Sequence, residues 1–138
     1  MPKSITVMAF DYGTRRVGVA VGNSVTQLGQ ALKTIAATNS EILFQEIASL
    51  LKDWQPDQLV VGRPVHPDGN PHVMTAKATR FGNQLHGRFA LPVSWVDERY
   101  TSAILEGGAK MRDNLDAHSA ALILEQYFAE QPNANESN

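Results

Sequence analysis

Apolar residues run in short, nearly unbroken stretches over the first part of the chain and then change to a helical period. Residues 5–11, ITVMAFD, and 16–22, RVGVAVG, read as two strands joined through Tyr12-Gly13-Thr14, with 28–35 as a third, weaker strand of an N-terminal meander. Thr38 and Glu41 have the spacing of a capping box. Leu43, Ile47, Leu50, Leu51 and Trp54 then recur at helical spacing until Gln55-Pro56-Asp57 stops the helix. Residues 58–62, QLVVG, form the short apolar run expected of a strand buried on both faces. Residues 63–71, RPVHPDGNP, hold three prolines and a glycine and read as an exposed loop. A helix over about 72–88, a strand at 91–96, a brief helical piece after Thr101 and a last helix over about 114–129 complete the pattern. The polar residues 131–138 are expected to fray.

Three antiparallel strands followed by alternating helices and strands predict an α/β fold. Right-handed crossovers place the later strands parallel to the first, in a mixed sheet with helices on both faces. This β-β-β-α-β-α-β-α order is that of the ribonuclease H-like fold. The chain's 138 residues suit one such domain, with an ordered core over about 4–130.

Composition narrows the function. No apolar run approaches the roughly 18 residues of a membrane span, and Asp11 interrupts the N-terminal apolar stretch, so a soluble, cytoplasmic protein with no membrane partner is expected. The absence of cysteine excludes disulfides, thiolate metal sites and cysteine nucleophiles. A net charge of −2 argues against binding through a broad basic surface. Local basic patches remain possible, because Arg15, Arg16, Arg63, Arg99 and other cations are spread differently from the acids Asp53, Asp57, Glu130 and Glu136. The four histidines, at 66, 72, 86 and 118, lack zinc-ligand spacing, and Trp54 and Trp95 read as core.

In an open α/β sheet, ligands collect beyond the carboxyl ends of the parallel strands. Acids fall there three times: Asp11 ends the first strand, Asp97-Glu98 end the strand LPVSWV, and Asp116 lies at the start of the last helix. Hard divalent cations take oxygen ligands, and Mg²⁺ is commonly held by a few carboxylates with water and phosphate. Each acid also has a structural reading. Asp11 could cap a turn, Asp97 or Glu98 could pair with Arg99, and Asp116 could face a helix dipole with Asp113 as N-cap. Their convergence on one edge favours chemistry.

Four blocks, DYGTRRVGVAVG, LVVGRP…DG, VDERYTS and LDAHSAALILEQYF, resemble the signature segments of the YqgF/RuvX family of pre-16S rRNA nucleases, related in fold to Holliday-junction resolvases. The similarity runs from about residue 5 to 129. It implies metal-dependent phosphodiester hydrolysis in maturing the 5′ end of 16S rRNA, with Asp11, Glu98 and Asp116 as catalytic and metal-binding residues. The cofactor implied is Mg²⁺ or Mn²⁺, as two ions roughly 3.5–4 Å apart. Arg15, Arg16, Arg63, Arg99 and Thr101 are the candidate contacts to nucleic acid, Arg15 and Arg99 through bidentate phosphate bonds that orient the scissile strand. The chain departs from the family pattern in a shorter interval between Thr101 and Asp116, in Tyr100, and in Arg63 where leucine is usual, which would add a cation to the mouth of the site.

Other readings stay open. Within the enzymes, a four-way DNA junction is the alternative substrate, which resolvases cut as symmetric dimers; this sequence leaves monomer and homodimer open. Outside them stand a non-catalytic nucleic-acid-binding protein acting on transcription and an actin-like nucleotide-binding module, suggested by DYGT and Gly18. The second needs two such domains, and 138 residues hold one.

Within the DER block, side chains alternate along a strand, so Asp97 and Glu98 point to opposite sides and one alone can face Asp11. The family pattern favours Glu98, leaving Asp97 to fix the loop through backbone or arginine contacts.

Overall fold

A computed structural model of the chain describes residues 4–65, 73–99 and 112–130; for residues 65, 73, 98, 99 and 112–116 the description is of the backbone. Eight elements follow one another: strands β1 (Thr6–Tyr12), β2 (Arg16–Asn23) and β3 (Gly29–Ala36), helix α1 (Ser40–Trp54), strand β4 (Gln58–Val65), helix α2 (Val73–Phe89), strand β5 (Val93–Arg99) and helix α3 (Arg112–Glu130). The helical piece expected after Thr101 and the tail 131–138 lie outside the described residues.

The strands form one sheet in the order β3-β2-β1-β4-β5. β1, β2 and β3 pair antiparallel, whereas β4 runs parallel to β1 and β5 parallel to β4, as the element order predicts. The register between β2 and β3 shifts between Val19 and Ala20, which places the kink of a bulge on the edge strand.

Alternation along the strands divides the core in two. Met8, Phe10, Val17, Val19, Leu59 and Val61 face α1 and α2, meeting Leu43, Phe44 and Ile47 from the first and Ala78, Phe81 and Leu85 from the second. Val7, Ala9, Val60 and Val96 face the opposite way, onto Ile123, Leu124, Tyr127 and Phe128 of α3. β1 and β4 are therefore covered on both sides, which is why their sequences read as continuous apolar runs.

Three local readings are corrected. Asn39, rather than Thr38, caps α1: its Oδ1 accepts from Ile42 N at 3.1 Å, and its amide oxygen reaches the free N–H groups of the first turn. β4 continues through Val65, three residues into the expected loop. Its pairing with β1 ends at Val61, so Pro64 lies where β4 has a single partner strand and a missing donor is tolerated. Trp54 is 42% exposed instead of core. The helix ends immediately after it, where Gln55 turns left-handed (φ 47°) and donates its N–H to Leu51 O, so the indole leaves the buried stripe.

Candidate active site

Asp11 owes its position to β1. Val7, Ala9 and Asp11 alternate with Met8 and Phe10, so Asp11 belongs to the α3 face, half-buried at the carboxyl end of a strand whose preceding four residues are fully buried. Its cross-strand partner is Gly18. On β4, Gly62 follows the Phe10–Val61 pair by one residue. Neither neighbour carries a side chain. Sequence reasoning used Gly18 only for the actin-like reading and gave Gly62 no role, although a glycine inside a strand is a recognised sign of close approach.

After Tyr12 the chain reverses within three residues. Gly13 N donates to Arg16 O at 2.9 Å, and a Cβ at Gly13 would lie 2.8 Å from that same oxygen, so the turn accepts glycine without a clash and other residues poorly. Arg15 is exposed at the turn, its carbonyl accepting from Ala37 N at 2.8 Å, and Arg16 opens β2 half-buried. The turn thus puts the two arginines four and five residues after Asp11, just past the end of β1.

At the end of β5 the two neighbouring acids separate. Val93, Trp95 and Asp97 lie on the α2 side, and Asp97 accepts from Arg63 Nε and Nη2, both at 3.1 Å. The same guanidinium lies over the Trp95 ring, 5.8 Å from its centroid. Val96 lies on the α3 face, and alternation carries position 98 to that face and position 99 back to the α2 side. Backbone position 98 therefore shares a sheet face with Asp11, and both stand at the carboxyl ends of strands. Asp97 is held elsewhere by Arg63. Arg63 itself lies on the face away from Asp11 and is bonded to Asp97.

α3 covers the Asp11 face. Ala120 and Ala121 pack on Ala20, whose pairing partner is Ala9, two residues before Asp11. Asp116 stands one helical turn before Ala120. The helix begins at Arg112, two residues earlier than the sequence suggests, so Asp116 lies in its second turn and Asp113 within the helix rather than at its N-cap. Gln126 Nε2 donates to the Asp97 backbone O at 3.2 Å, tying α3 to the end of β5. Thr101 lies outside the described residues. Among the described residues no three His, Cys, Asp or Glu side chains come together as a metal cluster.

Trp95 is packed against the α1/α2 core as expected, but its Nε1 is buried without a hydrogen-bond partner among the described residues. Among those residues no helix is long and apolar enough to cross a membrane.

An open sheet of this order, with an acid ending its first strand and a helix packed over that acid's face, is a ribonuclease H-like fold. Two solved structures match it in fold. RuvC of T. thermophilus in complex with Holliday junction substrate superposes with a TM-score of 0.57 at 12% identity, over 90% of this chain and 93% of that one. The Fowlpox virus resolvase, complexed with Holliday junction DNA, gives 0.50 at 9% identity over 91% and 100%. The chain belongs to the RuvX family, described as Holliday junction resolvase, which matches residues 5–130, and so to a family of hydrolases acting on phosphodiester bonds. Two relatives bear the name "Putative pre-16S rRNA nuclease". That of Polynucleobacter necessarius is 79% identical over 126 residues, covering 91% of this chain and 86% of the relative. That of Burkholderia vietnamiensis is 52% identical over 136 residues, covering 93% and 91%. The family resemblance of the four sequence blocks is thereby borne out.

Proposed function

We propose that this protein is a divalent-metal-dependent endonuclease that cleaves phosphodiester bonds of pre-16S rRNA in the cytoplasm. The observation that carries the proposal is the half-buried carboxylate of Asp11, at the carboxyl end of a strand buried on both faces, between two glycines and beneath α3. The names of the relatives supply the substrate class.

The donor chemistry suits a hard cation: Asp11, Glu98 and Asp116 offer carboxylate oxygens only, and the first two positions share a sheet face. These three residues would hold Mg²⁺ or Mn²⁺, which when bound supplies Lewis acidity for activating water and stabilising the leaving oxygen. The chain's own part is orientation and charge. The tight turn at Gly13 carries Arg15 and Arg16 just past the end of β1, where a guanidinium would hold a phosphate by two parallel hydrogen bonds and set the scissile strand against the carboxylates. Arg99 and Thr101, the latter outside the described residues, are kept as further candidates for phosphate contact. The Arg63–Asp97 pair takes part indirectly, by holding β4 to β5 so that position 98 keeps its face.

The test is cleavage of pre-16S rRNA fragments and of a four-way DNA junction, each with Mg²⁺ or Mn²⁺, beside Asp11→Asn. Metal-dependent cutting of the RNA that the variant lacks is expected. Cutting of the junction alone would transfer the activity to DNA, the reading that the family's description favours. Cutting by the variant at the wild-type rate would overturn the metal site.

A further inference from the structure

At the end of the sheet away from Asp11 the molecule carries a second concavity, which the proposed reaction does not use. Thr6, the first residue of β1, borders it, and Asp11 lies five residues on, about 16 Å along an extended strand. The concavity encloses about 520 Å³, within the roughly 300–1,000 Å³ usual for ligand clefts. Val21 from β2, Leu28 from the β2–β3 hairpin and Trp54 from the end of α1 supply apolar surface, and Thr6 and Gln30 supply polar groups.

Of the five large apolar side chains exposed among the described residues, Leu28 at 65% and Trp54 at 42% line the concavity, and Val25 at 68% lies in the chain between its lining residues Asn23 and Thr26. Single exposed apolar residues are ordinary, but two lining one concavity, with a third between its lining residues in the chain, mark a contact surface. Trp54 is the kind of rigid aromatic that carries binding energy at interfaces.

The surrounding charge selects the occupant. Asp53 adjoins Trp54 on α1. Asp57 accepts from Thr6 N at 2.9 Å and Glu125 accepts from Gly29 N at 3.1 Å, so two more carboxylates are fixed onto residues of the groove itself. Among the described residues the lysines nearby do not offset them. Lys33 is bonded to Glu46 at 3.0 Å, and Lys52, two positions before Trp54, projects about 200° around the helix from it. A nucleobase could stack on Trp54, yet its phosphates would meet these acids.

We propose that the groove docks a basic protein segment, which seats an apolar side chain against Leu28 and Trp54 and directs lysine or arginine side chains toward Asp53 and Asp57. The inference does not depend on the cleavage reading. It places a protein-binding surface at one end of the sheet and leaves the carboxyl end of β1 accessible at the other.

The test follows the two tryptophan indole N–H signals of the ¹⁵N-labelled full chain by NMR, with Trp54→Phe assigning the Trp54 signal. The probe is a short peptide alternating lysine and leucine. Its titration should move the Trp54 signal and leave that of Trp95 in place, whereas a glutamate–leucine peptide should move neither. Leu28→Ser, at an exposed position that keeps the fold, and Asp53→Lys should each weaken binding by about fivefold or more, the loss expected of an interface anchor. Unchanged melting temperatures verify that both variants are folded. A Trp54 signal indifferent to the basic peptide, or binding unaltered by both substitutions, would overturn the proposal. So would an oligouridine that moves the Trp54 signal and displaces the peptide, since it would assign the groove to nucleic acid. Cleavage of naked RNA by Leu28→Ser at the wild-type rate is expected, so loss of docking and loss of catalysis remain distinguishable.

Discussion

The α1/α2 face of the sheet and the part of the opposite face nearest Asp11 are packed by different means. On the α1/α2 side the contacts are large and aromatic: the Phe81 ring meets Phe10 edge-on at 5.8 Å, stacks on Tyr12 at 4.7 Å and lies 5.9 Å from Phe44. Under the first half of α3 the contacts are small, with Ala120 and Ala121 on Ala20, and Ala9 and Gly18 beside them. A Cβ at Gly29 would come within 2.5 Å of Ala121 O, so backbone lies nearly against backbone there. The bulky side supplies stability through buried area. The small-residue side brings a helix close to the sheet beside Asp11, and the candidate acids belong to that side. Burial alone would have pointed to the wrong face.

The comparison can be broken by removing bulk from one side. Phe81→Ala should lower unfolding free energy by about 3–5 kcal/mol, the usual cost of emptying an aromatic core position. Urea denaturation measures it, and the rate of cleavage per folded molecule should stay near wild type. A loss of turnover equal to that of a site variant would show that the two faces are not separate in function.

Removing charge from the other side should do the reverse. Asp11→Asn is expected to lower turnover by about 100-fold or more, roughly 3 kcal/mol of transition-state stabilisation, without loss of melting temperature. Clustered carboxylates repel one another in the absence of metal. Millimolar Mn²⁺ or Mg²⁺ should also raise the melting temperature of the wild type more than that of the variant. Equal shifts would indicate that the ions act elsewhere.

Adding bulk to the small side sharpens the contrast. Ala120 is fully buried, and Ala120→Leu should cost about 1–3 kcal/mol by overpacking. It should also lift α3 from the sheet, so that turnover at a temperature where the variant is folded falls further than stability predicts. If only stability changes, the closeness of α3 is not needed by the site.

The smallest effect tests the two neighbouring acids. Asp97 and Arg63 are 55% and 35% exposed in their side chains, so their ion pair is worth no more than about 1 kcal/mol. Asp97→Asn should change melting temperature slightly, whereas Glu98→Gln should reduce metal affinity and turnover together. Isothermal titration with Mn²⁺ and single-turnover cleavage distinguish them. The opposite pattern would reverse the assignment, and failure of both alike, with intact folds, would mean that the two acids act together.

Most of the fold is legible in the residues themselves. The runs around Phe10, Val19 and Val60 allow strands, the 3.6-residue recurrence from Leu43 to Leu51 allows a helix, and Gln55-Pro56 ends it, because these depend on side-chain period and local backbone preference. The position of Asp11 at a strand end and the opposition of Asp97 to Glu98 follow from the same alternation. What lay beyond the sequence is what depends on partners distant along the chain. Arg63 could be read as a cation for substrate, because its bond to Asp97 exists only once β4 and β5 are parallel and in register, 34 positions apart. Trp54 has the spacing of a core residue, and only the tertiary structure shows it 42% exposed at the end of α1, over a groove. Gly18 and Gly62 gain their meaning from lying on either side of Asp11 in a sheet whose strand order no local pattern specifies. Local preference determined which elements form and which side chains share a face; strand register and helix packing decided which of those side chains meet.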